Sequence, residues 1–363
     1  MTRFAQRRDR LRKLVARTDA EALLVTNFIN VTYLTGFTGD DSYLLLMPNG
    51  ETLISDMRYT TQLEEECPGL DLHIRGPGTK MHVETAKVLK KSRVRQLGIE
   101  GDSMSLSLQA SLAKEAPKIS FVTTSGLVER LRMIKDKFEI ERTRVACYQA
   151  KRAFEVVRAS LTPDMTERQV HADLEYQTRR FGGKGLSFTP IVGVGARAAL
   201  PHGQPSDVRI GESPFVLIDW GAIEGLYMSD LTRVLVTGRL PAKLAKIYNI
   251  TLKAQRQAIK AIRPGMTCKA VDKVARDIIG KAGFGKQFGH GLGHGVGLEI
   301  HEAPRLAADQ EGKLQPGMIV TVEPGIYFPG WGGVRIEDDV LVTRSGHEVL
   351  TDVATELDEC VVG

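Results

Sequence analysis

Hydrophobic and polar positions in the first third of the chain alternate with two different periods. Segments with apolar residues three or four apart predict helices, and short apolar runs bounded by turn residues predict strands. The predicted helices are FAQRRDRLRKLVAR, KMHVETAKVLKKS and LSLQASLAKEA, and the predicted strands are ALLVT, SYLLLM, ETLISD and QLGIE. This alternation indicates an α/β domain. A long charged helix is predicted to begin near Lys135, so we expect one domain over residues 1–130 and a second over 131–363.

The remainder of the chain contains an internal repeat. Residues 161–170 read LTPDMTERQV and residues 262–271 read IRPGMTCKAV, with Pro, Met, Thr and Val in register at an offset of 101. Each copy is predicted to follow a long helix, to open a second helix and to precede strands. Two helices and an antiparallel sheet, present twice, predict an α+β domain with pseudo-twofold symmetry and a site between its halves.

Composition and charge exclude several classes of partner. The 363 residues are 42% hydrophobic and 26% charged, as in ordinary globular proteins. The four cysteines include no C-x-x-C pair, which suits a reducing compartment, and we expect a cytoplasmic location. No apolar run is long enough to span a bilayer, so no membrane association is expected. The basic clusters contain no aromatic residue beyond Phe4, so no nucleic-acid partner is expected either.

Two carboxylates interrupt the strands that follow the first repeat. The segment SPFVLIDWGAIEGLYMSDLTRVLVTG (213–238) predicts a β-hairpin. With a turn centred on residues 224–225, Asp219 would lie directly opposite Asp230, with Cβ atoms about 5 Å apart. Carboxylates at this separation repel each other, and a shared proton or a bound cation would relieve the repulsion.

Two more carboxylates follow the second repeat. Glu323 interrupts MIVTVEPGIYF, and Glu337 lies in GVRIEDDVLV. An acidic residue in an apolar strand is costly unless it is paired or bound to a metal. One such residue alone would indicate an edge strand facing water, but four of them near the histidine-rich segment HGLGHGVGLEIHEAP (290–304) favour a metal site. Such ligands suit Mn²⁺, Co²⁺, Zn²⁺ or Fe²⁺, and four carboxylates would balance two divalent cations in a hydrolytic site.

These motifs resemble the signatures of a known family. The segments DWGAIEGLYMSDLTR, GHGVGLEIHE, TVEPGIY and VRIEDD are similar to those of the pita-bread metallopeptidases, in particular the Xaa-Pro aminopeptidases and Xaa-Pro dipeptidases (prolidases). The segment YLTGFTG resembles a creatinase-like N-terminal domain. The resemblance covers nearly the whole chain. It implies a creatinase-like α/β N-terminal domain and an α+β, pseudo-twofold pita-bread catalytic domain.

The resemblance also implies an activity. The expected enzyme is a dinuclear metal-dependent exopeptidase that hydrolyses the bond between an N-terminal residue and a following proline. Its substrates would be peptides or dipeptides with proline second, and its cofactors two divalent metal ions, with manganese the leading candidate and cobalt or zinc as alternatives. Relatives of this kind are commonly dimers, so a homodimer is expected.

Carried over residue by residue, the resemblance implies a complete site. The implied metal ligands are Asp219, Asp230, His294, Glu323 and Glu337. One of the aspartates and Glu337 would bridge the two ions, and Glu323 would also accept and donate the catalytic proton. His202 and His301 are implied to contact the substrate, and Arg335 is implied to lie beside the metal carboxylates.

For two features of the sequence, His290 and the pair Asp40 and Asp41, two interpretations remain open. His290 is either a hydrogen-bonded structural histidine or a catalytic one. Asp40 and Asp41 follow GFTG, where relatives often carry small residues, and they either meet a substrate α-ammonium or belong to a surface loop. The resemblance further suggests that the glycines around His294 let the backbone approach the substrate.

Three other functions share part of this pattern. A methionine aminopeptidase has the same ligand set but lacks the first domain and the pairing seen here as Arg335-x-Glu337. Creatinase has both domains but works without metal and has lost the carboxylates. A pita-bread protein used only for binding would also have lost ligands. Aminopeptidase and dipeptidase both stay open, because only the dipeptidase must recognise a free carboxylate one residue past the cleaved bond.

Overall fold

The computed structural model describes residues 2–362, which form two units with a boundary between Arg132 and Met133. The first unit is built on a six-stranded mixed sheet. Its helices are α1 (Arg3–Val15), α2 (Phe28–Thr35), α3 (Thr60–Glu66), α4 (Met81–Ser92), α5 (Leu106–Glu115) and α6 (Glu129–Arg132). Its strands are β1 (Ala22–Val25), β2 (Tyr43–Met47), β3 (Gly50–Asp56), β4 (Asp71–Arg75), β5 (Gln96–Glu100) and β6 (Ser120–Thr124).

The strand order of this sheet is β4-β3-β2-β1-β5-β6. The central strands β1, β2 and β3 pair antiparallel, whereas β4, β5 and β6 join by parallel pairing. The parallel additions follow helices, as crossover connections require. The α/β class predicted for this part of the chain is confirmed.

Helix α2 is absent from the sequence-based prediction, as are β4 and β6. The segment that forms α2, FINVTYLT, is rich in β-branched and aromatic residues, which favour strands when judged locally. The ends of the helix are nevertheless encoded. The side chain of Asn27 accepts a hydrogen bond from the Ile29 N–H at the start, and Gly36 ends the helix in the left-handed region at φ 87°.

The second unit combines four helices with short antiparallel strands. Its helices are α7 (Lys137–Ser160), α8 (Glu167–Arg180), α9 (Ala242–Ala261) and α10 (Cys268–Lys281). Its strands are β7 (Ile191–Val194), β8 (Phe215–Trp220), β9 (Ile223–Glu224), β10 (Tyr227–Met228), β11 (Leu231–Val236), β12 (Gly293–Gly295), β13 (Glu302–Leu306), β14 (Ile319–Val322), β15 (Gly325–Phe328), β16 (Gly332–Arg335), β17 (Asp338–Val342) and β18 (His347–Val349). Among the described residues, none of the helices has the length and apolar character required to cross a membrane.

The internal repeat corresponds to two structurally matched halves. Thr166 and Thr267 are the N-caps of α8 and α10, and each side chain accepts a hydrogen bond from the backbone N–H three residues later. Gly182 and Gly283 follow these helices with φ of 95° and 88°. The first half contributes the antiparallel sheet β11-β8-β7, and the second contributes β12, β14 and β17 in the centre of a five-stranded sheet. The predicted pseudo-twofold α+β architecture is confirmed.

The register of the first hairpin differs from the predicted one. Asp219 on β8 lies opposite Thr232 on β11, so the prediction that it faces Asp230 is wrong by two residues. Side chains in a strand alternate between faces with a period of two. A shift of two therefore keeps both carboxylates on one face, and both line the same cavity.

The turn of this hairpin explains the shift. Glu224 pairs with Tyr227, so the two residues between them form the turn. Gly225 is the first turn residue and has φ 63°, as a type II′ turn requires at that position. The strand predicted at residues 333–342 also differs, because β16 ends at Arg335 and β17 begins at Asp338.

The glycines of β12 are required by the neighbouring strands. A Cβ atom on Gly293 would lie 2.1 Å from the carbonyl oxygen of Thr321, and one on Gly295 would lie 2.3 Å from that of Ala303. Both distances are far below van der Waals contact with backbone atoms that are themselves fixed by sheet pairing. At these two positions, therefore, glycine is required because the neighbouring strands leave no space for a side chain.

We predict that Gly293→Ala destabilises the fold, because the added methyl group must displace a strand; overpacking of this kind costs roughly 1–3 kcal/mol. The matched control is Gly280→Ala in α10, where the added Cβ meets nothing within 4 Å. That change should stabilise the protein by about 0.5–1 kcal/mol. Denaturant unfolding of both variants in the same metal-free buffer measures the difference. Equal stability of Gly293→Ala and the parent protein would contradict this account of β12.

Candidate metal centre

All eight residues predicted for the site line one cavity of about 1330 Å³ in the second unit. They are His202, Asp219, Asp230, His294, His301, Glu323, Arg335 and Glu337. The residues come from both halves of the repeat, and the structure brings all of them together around this cavity.

The four carboxylates occupy matching places in the two halves. Asp219 lies near the end of β8, and Glu323 directly follows β14. Asp230 directly precedes β11, and Glu337 directly precedes β17. The apolar strands that carry them are buried, which takes the acidic side chains out of water with them. Three of these residues are almost fully buried, and Glu323 keeps 16% of its side chain exposed.

His294 presents a lone pair to two of these carboxylates. Its Nδ1 lies 3.1 Å from the carbonyl oxygen of Gly295, so Nδ1 carries the proton and donates it. The unprotonated Nε2 then lies 3.3 Å from Glu323 Oε1 and 3.7 Å from Asp230 Oδ2. Burial lowers the pKa of His294 to about 4, so the ring is neutral at physiological pH. Three electron-rich atoms thus face one another, and binding of a cation by these groups would offset their mutual repulsion.

The arrangement around Nε2 fits a divalent metal ion. One ligand atom each from Asp230, His294 and Glu337 can be chosen so that all three lie within 4.8 Å of one another. Oδ1 of Asp219 and Oδ1 of Asp230 are buried and have no hydrogen-bond partner among the described residues. Buried carboxylate oxygens normally have partners. Carboxylate and imidazole ligands are those that Mn²⁺, Co²⁺ and Zn²⁺ accept, so the residues fit the cofactor that the sequence predicts.

Burial and mutual repulsion also raise the pKa values of these carboxylates. Removal from water raises the pKa of Asp219, and it raises the pKa values of Asp230 and Glu337 well above their usual range. Repulsion from the neighbouring carboxylates adds to the effect at Asp230 and Glu337. Burial raises the pKa of Glu323 to about 8. Without a cation, therefore, this cluster retains protons that carboxylic acids ordinarily release near pH 4.

Arg335 provides the permanent positive charge of the site. Its Nη2 donates to Asp219 Oδ2, and its Nε donates to Thr232 Oγ1 at 3.1 Å. Thr232 in turn donates to Glu337 Oε2 at 2.5 Å. One guanidinium and one hydroxyl therefore orient two carboxylates that belong to different halves. Thr232 is not among the site residues predicted from the sequence, although it lies on the same face of the strand as Asp230, two residues away.

Tyr327 and His290 extend this network away from the carboxylates. Arg335 Nη1 donates to the Tyr327 hydroxyl at 2.8 Å. His290 Nδ1 lies 2.8 Å from the Gly291 carbonyl oxygen and so carries the proton, which leaves Nε2 to accept from the Tyr327 hydroxyl at 3.1 Å. Burial lowers the pKa of His290 to about 4. Through these contacts His290 is hydrogen-bonded to Tyr327, which in turn contacts Arg335. Tyr327 is not among the site residues predicted from the sequence.

The two histidines predicted to contact substrate lie on the cavity wall. The His301 ring is exposed, with its centroid 4.4 Å from that of His294 and the two planes at 74°. Partial removal of its ring from water and the neighbouring imidazole of His202 lower the pKa of His301. His202 lies on the irregular segment that follows β7. Both imidazoles are thus available to a molecule that enters the cavity.

Asp339 holds the backbone of Asp230, one of the predicted metal ligands. Its Oδ2 accepts the backbone N–H of Asp230 at 2.9 Å and the thiol of Cys147 at 3.5 Å. Burial raises the pKa of Asp339 to about 7. The sequence pattern contains no signal for these contacts, because Asp230 and Cys147 lie more than a hundred residues away from Asp339 in the chain.

Asp40 and Asp41 have partners within the first unit. Asp40 Oδ1 accepts from the Tyr59 hydroxyl at 2.5 Å. Asp41 Oδ2 accepts from Arg58 at 2.6 Å and from Arg75 at 2.9 Å. Both carboxylates therefore belong to a local polar network of that unit.

Comparison with known proteins identifies the family. Residues 141–344 match the profile of metallopeptidase family M24, and residues 7–134 match that of the creatinase/prolidase N-terminal domain. An Xaa-Pro dipeptidase from Pyrococcus furiosus is 38% identical over 353 residues, which cover 96% of this chain and 99% of that protein.

Two solved structures are similar over almost the full length. An Xaa-Pro dipeptidase from Bacillus anthracis has a TM-score of 0.95 at 38% identity and covers 99% of this chain and 100% of its own. An X-Pro aminopeptidase from Thermotoga maritima MSB8 has a TM-score of 0.88 at 34% identity, with 98% and 100% covered.

Fold and site together define a metal-dependent hydrolase of the pita-bread type. The chain belongs to metallopeptidase family M24 and carries a creatinase/prolidase N-terminal domain. It is a metallo-exopeptidase, as the sequence analysis predicted.

The raised pKa of Glu323 makes the metal-free protein sensitive to pH. Between its ordinary pKa of 4.5 and the folded value of about 8, the folded state holds a proton that the unfolded chain has released. Stability therefore falls as pH rises through this range. His290 and His294, whose pKa values are lowered to about 4 from 6.5, act in the opposite direction, but only up to about pH 6.5.

We therefore predict that the free energy of unfolding of the metal-stripped protein falls between pH 6.5 and pH 8. Glu323→Gln cannot bind or release this proton, so the same variant should show a shallower fall. Denaturant unfolding at several pH values in the presence of a chelator measures both slopes. A slope that is the same in the variant and the parent would show that Glu323 does not retain its proton in the folded protein.

Proposed function

We propose that this protein is a dinuclear metal-dependent exopeptidase that hydrolyses the bond between an N-terminal residue and a following proline. The observation that carries the proposal is the unprotonated Nε2 of His294, which faces Asp230 and Glu323 among buried carboxylates. Such a cluster is costly unless it binds cations. The proline specificity is supported by the relatives, which are named Xaa-Pro dipeptidase and X-Pro aminopeptidase.

We assign the two ions to the five predicted ligands, with Mn²⁺ the leading candidate and Co²⁺ or Zn²⁺ as alternatives. These ligands are Asp219, Asp230, His294, Glu323 and Glu337. Bound divalent cations supply Lewis acidity and make water a nucleophile at neutral pH. Four carboxylates would balance the charge of two such ions, while Arg335 compensates part of the charge of Asp219.

The remaining roles follow from position and hydrogen-bonding capacity. Glu323 is the carboxylate most open to the cavity, and we assign it the transfer of the catalytic proton. His202 and His301 line the same cavity and are assigned to substrate contacts. An imidazole there can donate to the carbonyl oxygen or to the leaving nitrogen, and such groups typically contribute 10²–10⁴ in rate.

Among the two exopeptidase types, the cavity favours a dipeptidase. Arg305 lies on β13, four residues after His301, and it is exposed and lines the cavity together with Lys313. A dipeptide ends in a free carboxylate one residue past the cleaved bond, and a guanidinium is well suited to bind it. The dipeptidase names of two similar proteins agree with this choice.

The alternatives weighed from the sequence are not favoured. The match to the creatinase/prolidase N-terminal domain disfavours a methionine aminopeptidase without that domain. The retained ligands disfavour both a creatinase-like reaction without metal and a scaffold used only for binding. We further propose a cytoplasmic location, supported by four free cysteines, and a homodimer, supported by the family resemblance alone.

We predict that, with Mn²⁺, the protein hydrolyses Ala-Pro much faster than Ala-Ala. The nitrogen of the Xaa-Pro bond carries no hydrogen, so a pocket shaped for proline needs no acceptor there. Ala-Ala would bury an unpaired N–H at a cost of about 1–3 kcal/mol, which corresponds to roughly tenfold to hundredfold in kcat/KM. Equal rates for the two dipeptides would refute the proline specificity and leave the metallopeptidase family unchanged.

The role of Arg305 is tested with Ala-Pro and its C-terminal amide, which lacks the carboxylate. Arg305→Gln should lower kcat/KM for Ala-Pro by roughly tenfold to hundredfold, since hydrogen bonds to charged groups contribute about 1.5–3 kcal/mol. The rate for the amide should change little. Lys313→Gln is the matched control for general loss of positive charge. An equal loss on both substrates would remove the argument for a dipeptidase.

A further inference from the structure

A single carboxylate organises the loop that ends at His301. This loop, residues 296–301, joins β12 to β13, and Glu302 directly follows it. Glu302 Oε1 accepts the backbone N–H of Leu298 at 2.9 Å and that of Glu299 at 3.2 Å. Two consecutive peptide groups of the loop are thus oriented by the residue next to His301.

A buried lysine holds the other oxygen of this carboxylate. Lys135 Nζ donates to Glu302 Oε2 at 3.0 Å, and the two side chains are only 1% and 5% exposed. Lys135 is itself fixed, because its backbone N–H donates to the Gly317 carbonyl oxygen at 2.8 Å. Burying an ion pair costs solvation energy that the attraction often does no more than offset. The pair is therefore better explained by the conformation it fixes than by stability.

Gly297 makes room for this contact. A Cβ atom at that position would lie 2.6 Å from Glu302 Oε2. The loop is also anchored on its other side, where the Gly297 carbonyl oxygen accepts the backbone N–H of Met228 at 2.8 Å. The carboxylate therefore fits against the loop backbone only because residue 297 has no side chain.

We propose that Glu302 is a positioning residue that sets His301 against the cavity through its hydrogen bonds to the Leu298 and Glu299 N–H groups, while Lys135 balances its buried charge. The inference rests on the proposed function, in which His301 contacts the substrate. Glu302 adjoins His301 in the chain and fixes the peptide groups that precede it, so loss of the carboxylate frees the backbone that carries the imidazole. A misplacement of about 1 Å in a catalytic group can lower the rate roughly a hundredfold.

The test is a double-mutant cycle on kcat/KM for Ala-Pro with Mn²⁺. Glu302→Ala should lower kcat/KM by roughly a hundredfold in the parent protein. In a His301→Ala background the same change should cost less than about threefold, because the residue through which Glu302 acts is already gone. Metal content is measured on each variant and should stay at the parent value, since neither residue belongs to the five-ligand set.

Glu100→Ala is the matched control. Glu100 is also a largely buried carboxylate that accepts two consecutive backbone N–H groups, those of Thr26 and Asn27 at 2.6 and 2.9 Å. It lies in the first unit and does not line the cavity. A stability loss from an unmade buried contact should therefore be common to both variants, while the dependence on His301 should be confined to Glu302→Ala.

A second variant keeps the test usable if Glu302→Ala folds poorly. The double change Glu302→Gln with Lys135→Met removes both charges. The glutamine keeps an amide oxygen for the Leu298 and Glu299 N–H groups, and the methionine side chain fills the space of the lysine methylene groups. Replacing both members of a buried pair is often close to neutral for stability. Because the loop hydrogen bonds are kept, this variant should stay within about tenfold of the parent kcat/KM.

The outcomes separate this inference from the function on which it rests. If the parent protein does not hydrolyse Ala-Pro, the proposed function fails. If it does, and Glu302→Ala costs the same factor with and without His301, the positioning role is wrong. A double variant as inactive as Glu302→Ala would also overturn it, because the loop hydrogen bonds would then not be what matters.

Discussion

The carboxylates at the centre of the second unit repel one another, and the architecture of that unit holds them together against this repulsion. Asp219, Asp230 and Glu337 are almost fully buried, and Glu323 faces them from the cavity wall. Nothing in the hydrophobic effect favours this placement, since each buried charge weakens the fold unless it is neutralised. Repulsion among these carboxylates therefore lowers the stability of the unit, and bound cations would offset it. Burial of the surrounding apolar core stabilises the fold enough to offset this repulsion.

The groups around the cluster hold acidic or imidazole side chains in place. Arg335 and Thr232 orient carboxylates from both halves of the repeat. Asp339 holds the backbone of Asp230, and Glu302 holds the loop that precedes His301. Each of these contacts joins residues that are distant in sequence or lie in different strands and loops. The duplicated fold thus serves to bring two carboxylates from each half to one place and to hold them there.

Features carried by short sequence motifs could be predicted, whereas features set by pairing between strands could not. The repeat was visible because Thr166 and Thr267 cap equivalent helices. The hairpin register was missed because G-A-I-E-G allows several turns, and only the positive φ of Gly225 selects one. Helix α2 was missed because its β-branched residues favour a strand when read locally. The partners of Lys135 and Asp339 lie far away in the chain, and spacing alone carries no signal for them.

Metal binding by the carboxylate cluster is measured by titration of the metal-stripped protein with Mn²⁺, followed by calorimetry and by elemental analysis after removal of free metal. We expect binding that approaches two equivalents per chain and a rise in the free energy of unfolding with the bound metal. Asp230→Ala should bind less, because it removes a ligand at the centre of the cluster. Full peptidase activity in protein shown to contain no metal would contradict the claim that the carboxylate cluster exists to bind cations.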